Sequence, residues 1–250
     1  MTQSQTRFTV EGLVIKEMNV GESDRLVTLF TRENGIIKAF ASGAKNMKSK
    51  KAAATSLLTY SSFTILNKKG TFRIYEATPQ TSFFTIGSDI EMLSLSQYFC
   101  ELALEFAESG VPNKELLRLI LNSLYFLTKE KRYPPLIKAI TELRTAVIAG
   151  YMPSLVACKN CGKFEDNLMY FSLSDGSLSC SECGENKNSA EINKTLLSAL
   201  RHIVFSEFKN LYSFEIPAES ADELSKITEK YITVQTDYNF SALQFYNSIY

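Results

Sequence analysis

The chain has 250 residues, of which 45% are hydrophobic and 22% charged, and its formal net charge is zero. This composition indicates a globular protein with room for two or three small domains and excludes a disordered chain. No stretch reaches the roughly 20 apolar residues of a membrane-spanning helix, and the polar N-terminus lacks the apolar core of a signal peptide. We therefore expect a cytoplasmic protein whose cysteines stay reduced.

The charge is divided unevenly along the chain. Residues 1–80 carry twelve Lys and Arg against six Asp and Glu, whereas the remaining residues carry fifteen against twenty-one. The segment from Ile36 to Tyr75 contains eight basic residues and no acidic one. A basic first module joined to an acidic remainder indicates a polyanionic partner for the first module.

Residues 8–80 have the pattern of short β-strands. Runs rich in Val, Ile, Leu, Phe and Thr predict five strands, at 8–16, 25–31, 36–42, 58–66 and 71–78. Asn34 and Gly35 form a tight-turn signal between the second and third strands, and we expect Pro79 to end the fifth. Five short strands in about seventy residues favour a small closed barrel over a sandwich.

After residue 88 the hydrophobic period is that of helices. We expect Asn113 to cap one helix, Pro134 and Pro135 to open another, and Ser220 with Glu223 to form the capping box of a later one. The sequence therefore predicts an α+β protein. Its expected segments are a basic barrel at 1–80, a first helical part at 81–150, a cysteine element at 151–188 and a second helical part at 189–250.

The cysteine element holds two pairs of thiols. Cys158, Cys161, Cys180 and Cys183 have the spacing C-x2-C-x18-C-x2-C, which is typical of a zinc site. Two residues between thiolates let one turn present both sulfurs to a tetrahedral ion, and four thiolates leave no position open for catalysis. We expect one structural Zn²⁺ here. Two disulfides and an iron site are the alternatives.

The basic barrel is the candidate for nucleic-acid binding. Small barrels bind single strands by tracking phosphates with Lys and Arg while aromatic side chains stack on bases. Strand alternation places Arg73 and Tyr75 on one face and Phe72 on the other. The chain has one histidine, His202, and no phosphate-binding glycine loop. This scarcity of catalytic groups favours a binding protein over an enzyme.

Three patches of the sequence resemble the bacterial DNA repair and recombination mediator family RecO. The first is GLVI at 12–15 followed by GESDRLVTLFT at 21–31, and the second is the basic loop ASGAKNMKSK at 41–50. The third is GYMPSL at 150–155, directly before the first cysteine pair. The order and spacing of the three agree over about residues 8–250.

The resemblance implies an N-terminal OB-fold, a helical domain and a zinc element held by the four cysteines. It implies a protein that binds single- and double-stranded DNA and anneals complementary strands. The partners implied are RecR, with which it loads RecA, and the C-terminal tail of single-strand binding protein. No catalytic residue, membrane or small-molecule substrate is implied, and the expected place of action is the nucleoid.

Charge, alternation and the resemblance together give the candidate site residues. The expected DNA-binding residues are Arg25, Lys38, Lys45, Lys48, Lys50, Lys51, Lys68, Lys69, Arg73 and Tyr75. The partner's tail is acidic and apolar, so it requires an apolar groove with one or two cations. The candidates for those cations, each on a predicted helix, are Arg118, Lys138 and Arg144.

The chain departs from the family in two respects. It is neutral overall whereas many relatives are basic, and residues 238–246 lack the family's His-Leu-Gly stretch and the basic segment after it. An OB-fold and zinc-knuckle protein that binds RNA or assists transcription is the alternative function. A hydrolase is a third, although the sequence shows no nucleophile and base to support it.

Overall fold

The structure, a computed structural model, describes residues 6–46, 48–84, 89–184 and 188–249. Its strands are β1 (Thr6–Val20), β2 (Asp24–Thr31), β3 (Gly35–Ala41), β4 (Thr59–Lys68), β5 (Thr71–Ser82), β6 (Ser154–Cys158), β7 (Leu168–Ser172), β8 (Ser177–Cys180) and β9 (Ser189–Asn193). Its helices are α1 (Lys50–Ala54), α2 (Ile90–Phe106), α3 (Lys114–Thr128), α4 (Pro134–Ile148), α5 (Lys194–Phe205), α6 (Ala218–Thr236) and α7 (Ser241–Ile249).

The first five strands close into a barrel in the order β1-β2-β3-β5-β4, and β4 pairs back onto β1. Neighbouring strands are antiparallel except β3 and β5, which run parallel. This arrangement confirms the five strands and the closed barrel that the sequence predicts. It matches the five-stranded Greek-key barrel of an OB-fold.

Alternate side chains of the barrel strands fill its interior. Val27, Ile37 and Phe63 belong to one buried cluster inside the barrel. Ala44 and Ala54 join the same cluster from the loop between β3 and β4, which contains the short helix α1. The sequence predicts this stretch only as a long basic break, because five residues are too few to show a helical period. α1 therefore contributes the small side chain of Ala54 to the barrel core.

The fifth strand continues through Pro79 to Ser82, so the prediction that Pro79 ends it is wrong. Pro79 lies opposite Ser61, and the ladder shifts at the next position, where Thr81 lies opposite Tyr60. This shift leaves Gln80 as an extra residue on β5, which is a β-bulge. Proline is tolerated beside a bulge because the regular hydrogen-bond ladder is already interrupted there.

The barrel, α2, α3 and α7 belong to one compact unit, formed by the described residues of Met1–Glu130 and Phe240–Tyr250. The Asn113 side chain accepts a hydrogen bond from the Leu116 amide, which confirms it as the cap of α3. The sequence does not predict α7. The Glu101 carboxylate on α2 accepts a hydrogen bond from the Ala242 amide, and the Tyr98 and Phe240 rings lie 5.3 Å apart. These contacts hold the C-terminal segment against α2.

The second compact unit spans Lys131–Asn239. Helix α4 begins at Pro134 as predicted, and it packs along α6. The predicted capping box is wrong, because α6 begins at Ala218 after Pro217 and therefore has Ser220 and Glu223 inside the helix. Proline just before or at the first helical position is compatible with a helix start, since its fixed φ is already close to helical.

The cysteine element of the second unit is a four-stranded sheet in the order β6-β8-β7-β9. Its buried apolar side chains include Leu155, Met169, Phe171, Leu178 and Ile192, whereas Val156 and Phe164 are each 59% exposed. The sequence does not predict these strands, because runs of four or five residues rich in Ser and Cys give no clear alternation. No helix in the described part of the chain is long and apolar enough to span a bilayer.

Candidate nucleic-acid interface and metal centre

Six of the ten predicted DNA-binding residues are exposed on the barrel or its loops: Lys38, Lys48, Lys68, Lys69, Arg73 and Tyr75. Lys38 lies on β3 and Arg73 on β5, and Lys68 and Lys69 lie at the hairpin between β4 and β5. The side chain of Lys50 lies outside the described residues. The structure therefore places an accessible group of cations on the barrel.

Arg25, which is predicted to contact DNA, makes several contacts within the protein. Its guanidinium is only 18% exposed and donates to the Ala52 carbonyl (3.1 Å) and the Ser56 hydroxyl (3.3 Å). The carboxylate of Glu17 lies 3.4 Å away. Arg25 thus ties the end of α1 to the barrel, and its donors are directed into the protein.

Two lysines of the basic loop also donate to backbone carbonyls. The Lys45 ammonium lies 3.2 Å from the Gly21 carbonyl oxygen, and the Lys51 ammonium lies 3.0 Å from that of Ile74. Both side chains are partly buried. A hydrogen bond to a carbonyl leaves the positive charge uncompensated, so these lysines still contribute to the potential around the barrel.

Tyr75 reaches the surface at a β-bulge. Ile65 lies opposite Ile74 and Thr64 opposite Glu76, so Tyr75 is the extra residue on β5. Its ring is 49% exposed, and the Arg7 guanidinium lies over it at 4.4 Å from the centroid. Sequence reasoning missed Arg7. Phe8 packs against the barrel core, and neighbouring residues of a strand point to opposite faces. Strand alternation therefore predicts that Arg7 lies on the outer face of the barrel.

The four predicted metal ligands converge in the second unit. The Sγ atoms of Cys158, Cys161, Cys180 and Cys183 all lie within 4.8 Å of one another. Those of Cys161 and Cys180 are 3.6 Å apart. A tetrahedral ion with metal–sulfur bonds of about 2.3 Å holds its sulfurs about 3.8 Å apart. The cluster therefore has the spacing of a four-thiolate metal centre, and each pair lies at a turn that ends a strand.

The backbone around the cluster favours the thiolate of Cys158. Burial opposes ionisation of Cys158, but hydrogen bonds from the amides of Cys161, Asn160 and Cys180 outweigh it and lower its pKa to about 6. Hydrogen bonds from the other three cysteines raise the pKa of Cys183 to about 12. Four thiolates repel one another unless a cation lies between them, so this donor set is suited to a divalent ion.

Polar contacts join the two cysteine turns directly. The Lys163 ammonium lies 3.3 Å from the Asp166 carboxylate and 2.9 Å from that of Glu182. Asp166 also accepts a hydrogen bond from the Ser181 hydroxyl at 2.6 Å, which is the main reason that its pKa falls to about 2. Sequence reasoning missed these residues. Their charges are ordinary in sequence, and only the fold brings them beside the metal ligands.

The three predicted cations of the partner groove lie in different settings. Arg118 is exposed on α3 and lines a cleft of about 270 Å³. The other residues of that cleft are Arg32, Tyr60, Lys114, Leu117, Leu121 and Asn122.

Lys138 and Arg144 do not line this cleft. The Lys138 side chain is 1% exposed, and its ammonium lies 2.9 Å from Glu142 and 2.7 Å from Glu229. Arg144 donates to the carbonyls of Ile203 and Val204 at the end of α5. Both side chains face the interior of the second unit because α4 packs against both α5 and α6. The sequence of α4 alone does not show that two helices cover it.

Comparisons with known proteins match two family models to the chain, and these meet between residues 83 and 87, whereas the first compact unit continues to Glu130. The family model described as "Recombination protein O N terminal" matches residues 4–83, and the model "Recombination protein O C terminal" matches residues 87–242. The chain is 36% identical to the DNA repair protein RecO of Acetivibrio thermocellus over 239 residues, which are 95% of each chain. It is 28% identical to the DNA repair protein RecO of Alkaliphilus metalliredigens over 94% of this chain and 96% of that one.

Proposed function

Because the chain belongs to the RecO family of DNA repair proteins, we propose that it is a recombination mediator that binds DNA on its barrel and anneals complementary strands. The observation that carries this proposal is the group of exposed cations on and beside the barrel strands, together with the exposed ring of Tyr75. Single- and double-stranded DNA are the proposed ligands.

Annealing requires no catalytic residue. Two complementary strands repel each other through their phosphates, and a basic surface that binds both lowers this repulsion. Exposed cations such as Lys38, Lys68 and Arg73 lie on the strands of the barrel, where they can bind phosphates. We therefore assign DNA binding to residues 1–80 and propose that the protein turns over no substrate.

The metal in the cysteine centre is proposed to be zinc. Four thiolates at tetrahedral spacing are the usual ligands of structural Zn²⁺, and they leave no coordination position for water. When bound, the ion would supply folding energy to residues 151–188. The Lys163 contacts with Asp166 and Glu182 would hold the two cysteine turns in register around it.

The cleft beside α3 is the proposed site for the C-terminal tail of single-strand binding protein. Leu117 and Leu121 give the cleft an apolar part, and Arg32, Lys114 and Arg118 give it positive charge. The carboxylate of Glu33 pairs with Arg32 at 3.6 Å and with Lys114 at 3.2 Å, so one negative charge lies beside these three cations. An acidic tail with apolar side chains is complementary to both the apolar part and the cations. The remaining partners of the family, RecR and RecA, are proposed to act with this protein at the nucleoid.

Removal of surface charge tests DNA binding by the barrel. We expect Lys68→Ala with Lys69→Ala to weaken binding to single strands and duplex alike. The slope of log affinity against log salt concentration should become shallower by up to about 2, or about 1 for each phosphate that the variant no longer neutralises. Fluorescence anisotropy at several salt concentrations measures both effects. Lys226→Ala with Lys230→Ala removes two exposed lysines from α6 and should leave DNA binding unchanged.

Strand annealing tests the proposed function as a whole. Complementary strands coated with the cognate single-strand binding protein should anneal faster when this protein is added, and deletion of the coating protein's C-terminal tail should remove most of the acceleration. Arg118→Glu should have the same effect as the deletion, whereas Lys129→Glu at the other end of α3 should not. If coated strands anneal at the same rate with and without the protein, it is not a mediator.

A further inference from the structure

The four sulfurs of the metal centre come from two turns that belong to different strands. Cys158 and Cys161 lie in the turn that ends β6, and Cys180 and Cys183 lie in the turn that ends β8. The Cys158 amide donates to the Lys163 carbonyl at 2.9 Å, and the Cys183 amide donates to the Cys180 carbonyl at 3.1 Å. These two backbone hydrogen bonds shape each turn by itself. The position of one turn relative to the other needs further contacts.

The Asp166 side chain, which follows the first turn, contacts the second one. Its Oδ2 atom accepts hydrogen bonds from the Ser181 hydroxyl at 2.6 Å and from the Ser181 amide at 3.4 Å. Ser181 lies between Cys180 and Cys183 in the sequence. The other oxygen, Oδ1, accepts a hydrogen bond from the Asn167 amide at 2.8 Å, which fixes the orientation of the carboxylate. Asp166 therefore joins the segment after the first turn to the middle of the second turn.

A lysine and a second carboxylate accompany this hydrogen bond. The Lys163 ammonium lies 3.3 Å from the Asp166 carboxylate and 2.9 Å from that of Glu182. The Glu182 side chain is 73% exposed, whereas that of Asp166 is only 17% exposed. An exposed ion pair contributes little because water competes for both charges. A hydrogen bond to a carboxylate that is mostly shielded from water is stronger, so Asp166 contributes more to this link than Glu182 does.

We propose that Asp166 is a positioning residue of the metal centre and that its hydrogen bonds to Ser181 set how tightly the ion is held. This inference rests on the metal centre proposed above and adds a residue outside the ligand set. Ligands that already lie at their binding positions lose less conformational freedom when the ion binds. Without the Asp166 contact, repulsion between the thiolates would separate the two turns, and the ion would bind more weakly.

The same sheet contains a closely matched contact that does not reach the second cysteine turn. The ammonium of Lys159, in the first turn, lies 3.0 Å from the Asp175 carboxylate. Asp175 accepts a hydrogen bond from the Ser177 hydroxyl at 2.7 Å. Asp175 lies between β7 and β8, in a turn without cysteines. It therefore repeats the chemistry of Asp166, a carboxylate with a lysine and a serine, without joining the two pairs of ligands.

Competition with chelators measures the metal affinity of the full-length protein. The protein would be loaded with Zn²⁺ and titrated with chromogenic chelators of graded zinc affinity. Asp166→Asn should lower the affinity about 10- to 100-fold, because the carboxylate accepts through both oxygens and an amide has only one acceptor oxygen. Ser181→Ala should lower it similarly, and Ser181→Thr, which retains the hydroxyl, should restore it. Asp175→Asn and Glu182→Gln should leave it unchanged.

Cobalt separates positioning from a loss of fold. When saturated with Co²⁺, Asp166→Asn should show the cobalt–thiolate absorption bands at the same wavelengths as the unaltered protein, because all four ligands remain. Loss of these bands would overturn the inference. Equal zinc affinities of Asp166→Asn and the unaltered protein, or an equal fall with Asp175→Asn, would also overturn it. An unaltered protein that binds neither ion would instead refute the metal centre.

Discussion

Gly35 shows what a single backbone position contributes to the barrel. It occupies the turn between β2 and β3 with a φ of +57°, in the left-handed region that favours glycine. A Cβ at this position would lie 2.1 Å from the Glu108 carbonyl oxygen and 2.3 Å from that of Val111. Gly70 occupies the other hairpin with a φ of +80° and open space around it. Gly35 is required both by its positive φ and by the two carbonyl oxygens close to it. Gly70 is required by its positive φ alone.

This difference predicts unequal costs for the same substitution. Gly70→Ala should lower the free energy of unfolding by about 1–2 kcal/mol, the cost of the left-handed backbone. Gly35→Ala adds a steric overlap with two carbonyls and should cost about 2–5 kcal/mol. Urea denaturation of the two variants measures the difference. Equal losses would mean that the segment 108–111 does not pack against this turn in solution.

At the scale of elements, a buried charge cluster joins α4 to α6. Lys138 on α4 pairs with Glu142 on the same helix and with Glu229 on α6, and the Thr228 hydroxyl donates to Glu142 at 2.6 Å. Burial raises the pKa of Glu142, although the Lys138 ammonium and the Thr228 hydroxyl oppose the shift. A raised pKa in the folded state means that this carboxyl stabilises the fold at low pH and loses that contribution as the pH rises through its folded-state pKa.

Replacement of Lys138 should therefore lower the free energy of unfolding by an amount that depends on pH. Lys138→Met leaves the fully buried Glu142 without its cation, and we expect a loss of about 3–5 kcal/mol at neutral pH. The loss should shrink at lower pH, where Glu142 takes up a proton, and Glu142→Gln in the same chain should restore much of it. Thermal denaturation between acid and neutral pH checks this. Lys226→Met, on the exposed side of α6, is the control.

At the scale of the whole molecule, the proposed DNA surface and the metal centre lie in different compact units. The ligand cysteines lie in the four-stranded sheet and its turns, whose buried apolar residues are few, whereas the barrel has a continuous apolar core of its own. A structural metal contributes its binding energy to the folding of the segment that holds it. The metal should therefore stabilise the second unit and not the barrel.

Metal removal tests this division. A chelator should increase hydrogen exchange in β6, β7 and β8 while exchange in β1–β5 and affinity for single-stranded DNA stay unchanged. Exchange should return to its original level when Zn²⁺ is added back. Loss of DNA binding on chelation, with the barrel still protected, would place part of the DNA site on the cysteine element.

The features that the sequence predicted are those encoded over short spacings. Alternation of apolar residues gave the five barrel strands, Asn113 and Pro134 gave two helix starts, and the cysteine spacing gave a cluster that the structure brings together. In each case the physical cause acts within a few residues along the chain: side-chain period, capping hydrogen bonds and the reach of two thiols in one turn.

The contact partners of the basic side chains depend on the tertiary structure. Arg25, Lys138 and Arg144 read in sequence as surface charges, yet their donors point to backbone carbonyls or buried carboxylates. The bulge that exposes Tyr75 and the register that sets Phe40 opposite Arg73 are likewise decided between strands. The sequence alone determined the barrel, most of the helices and the ligand set, because these depend on local pattern. Which side chains meet a partner depends on pairing and packing between distant segments.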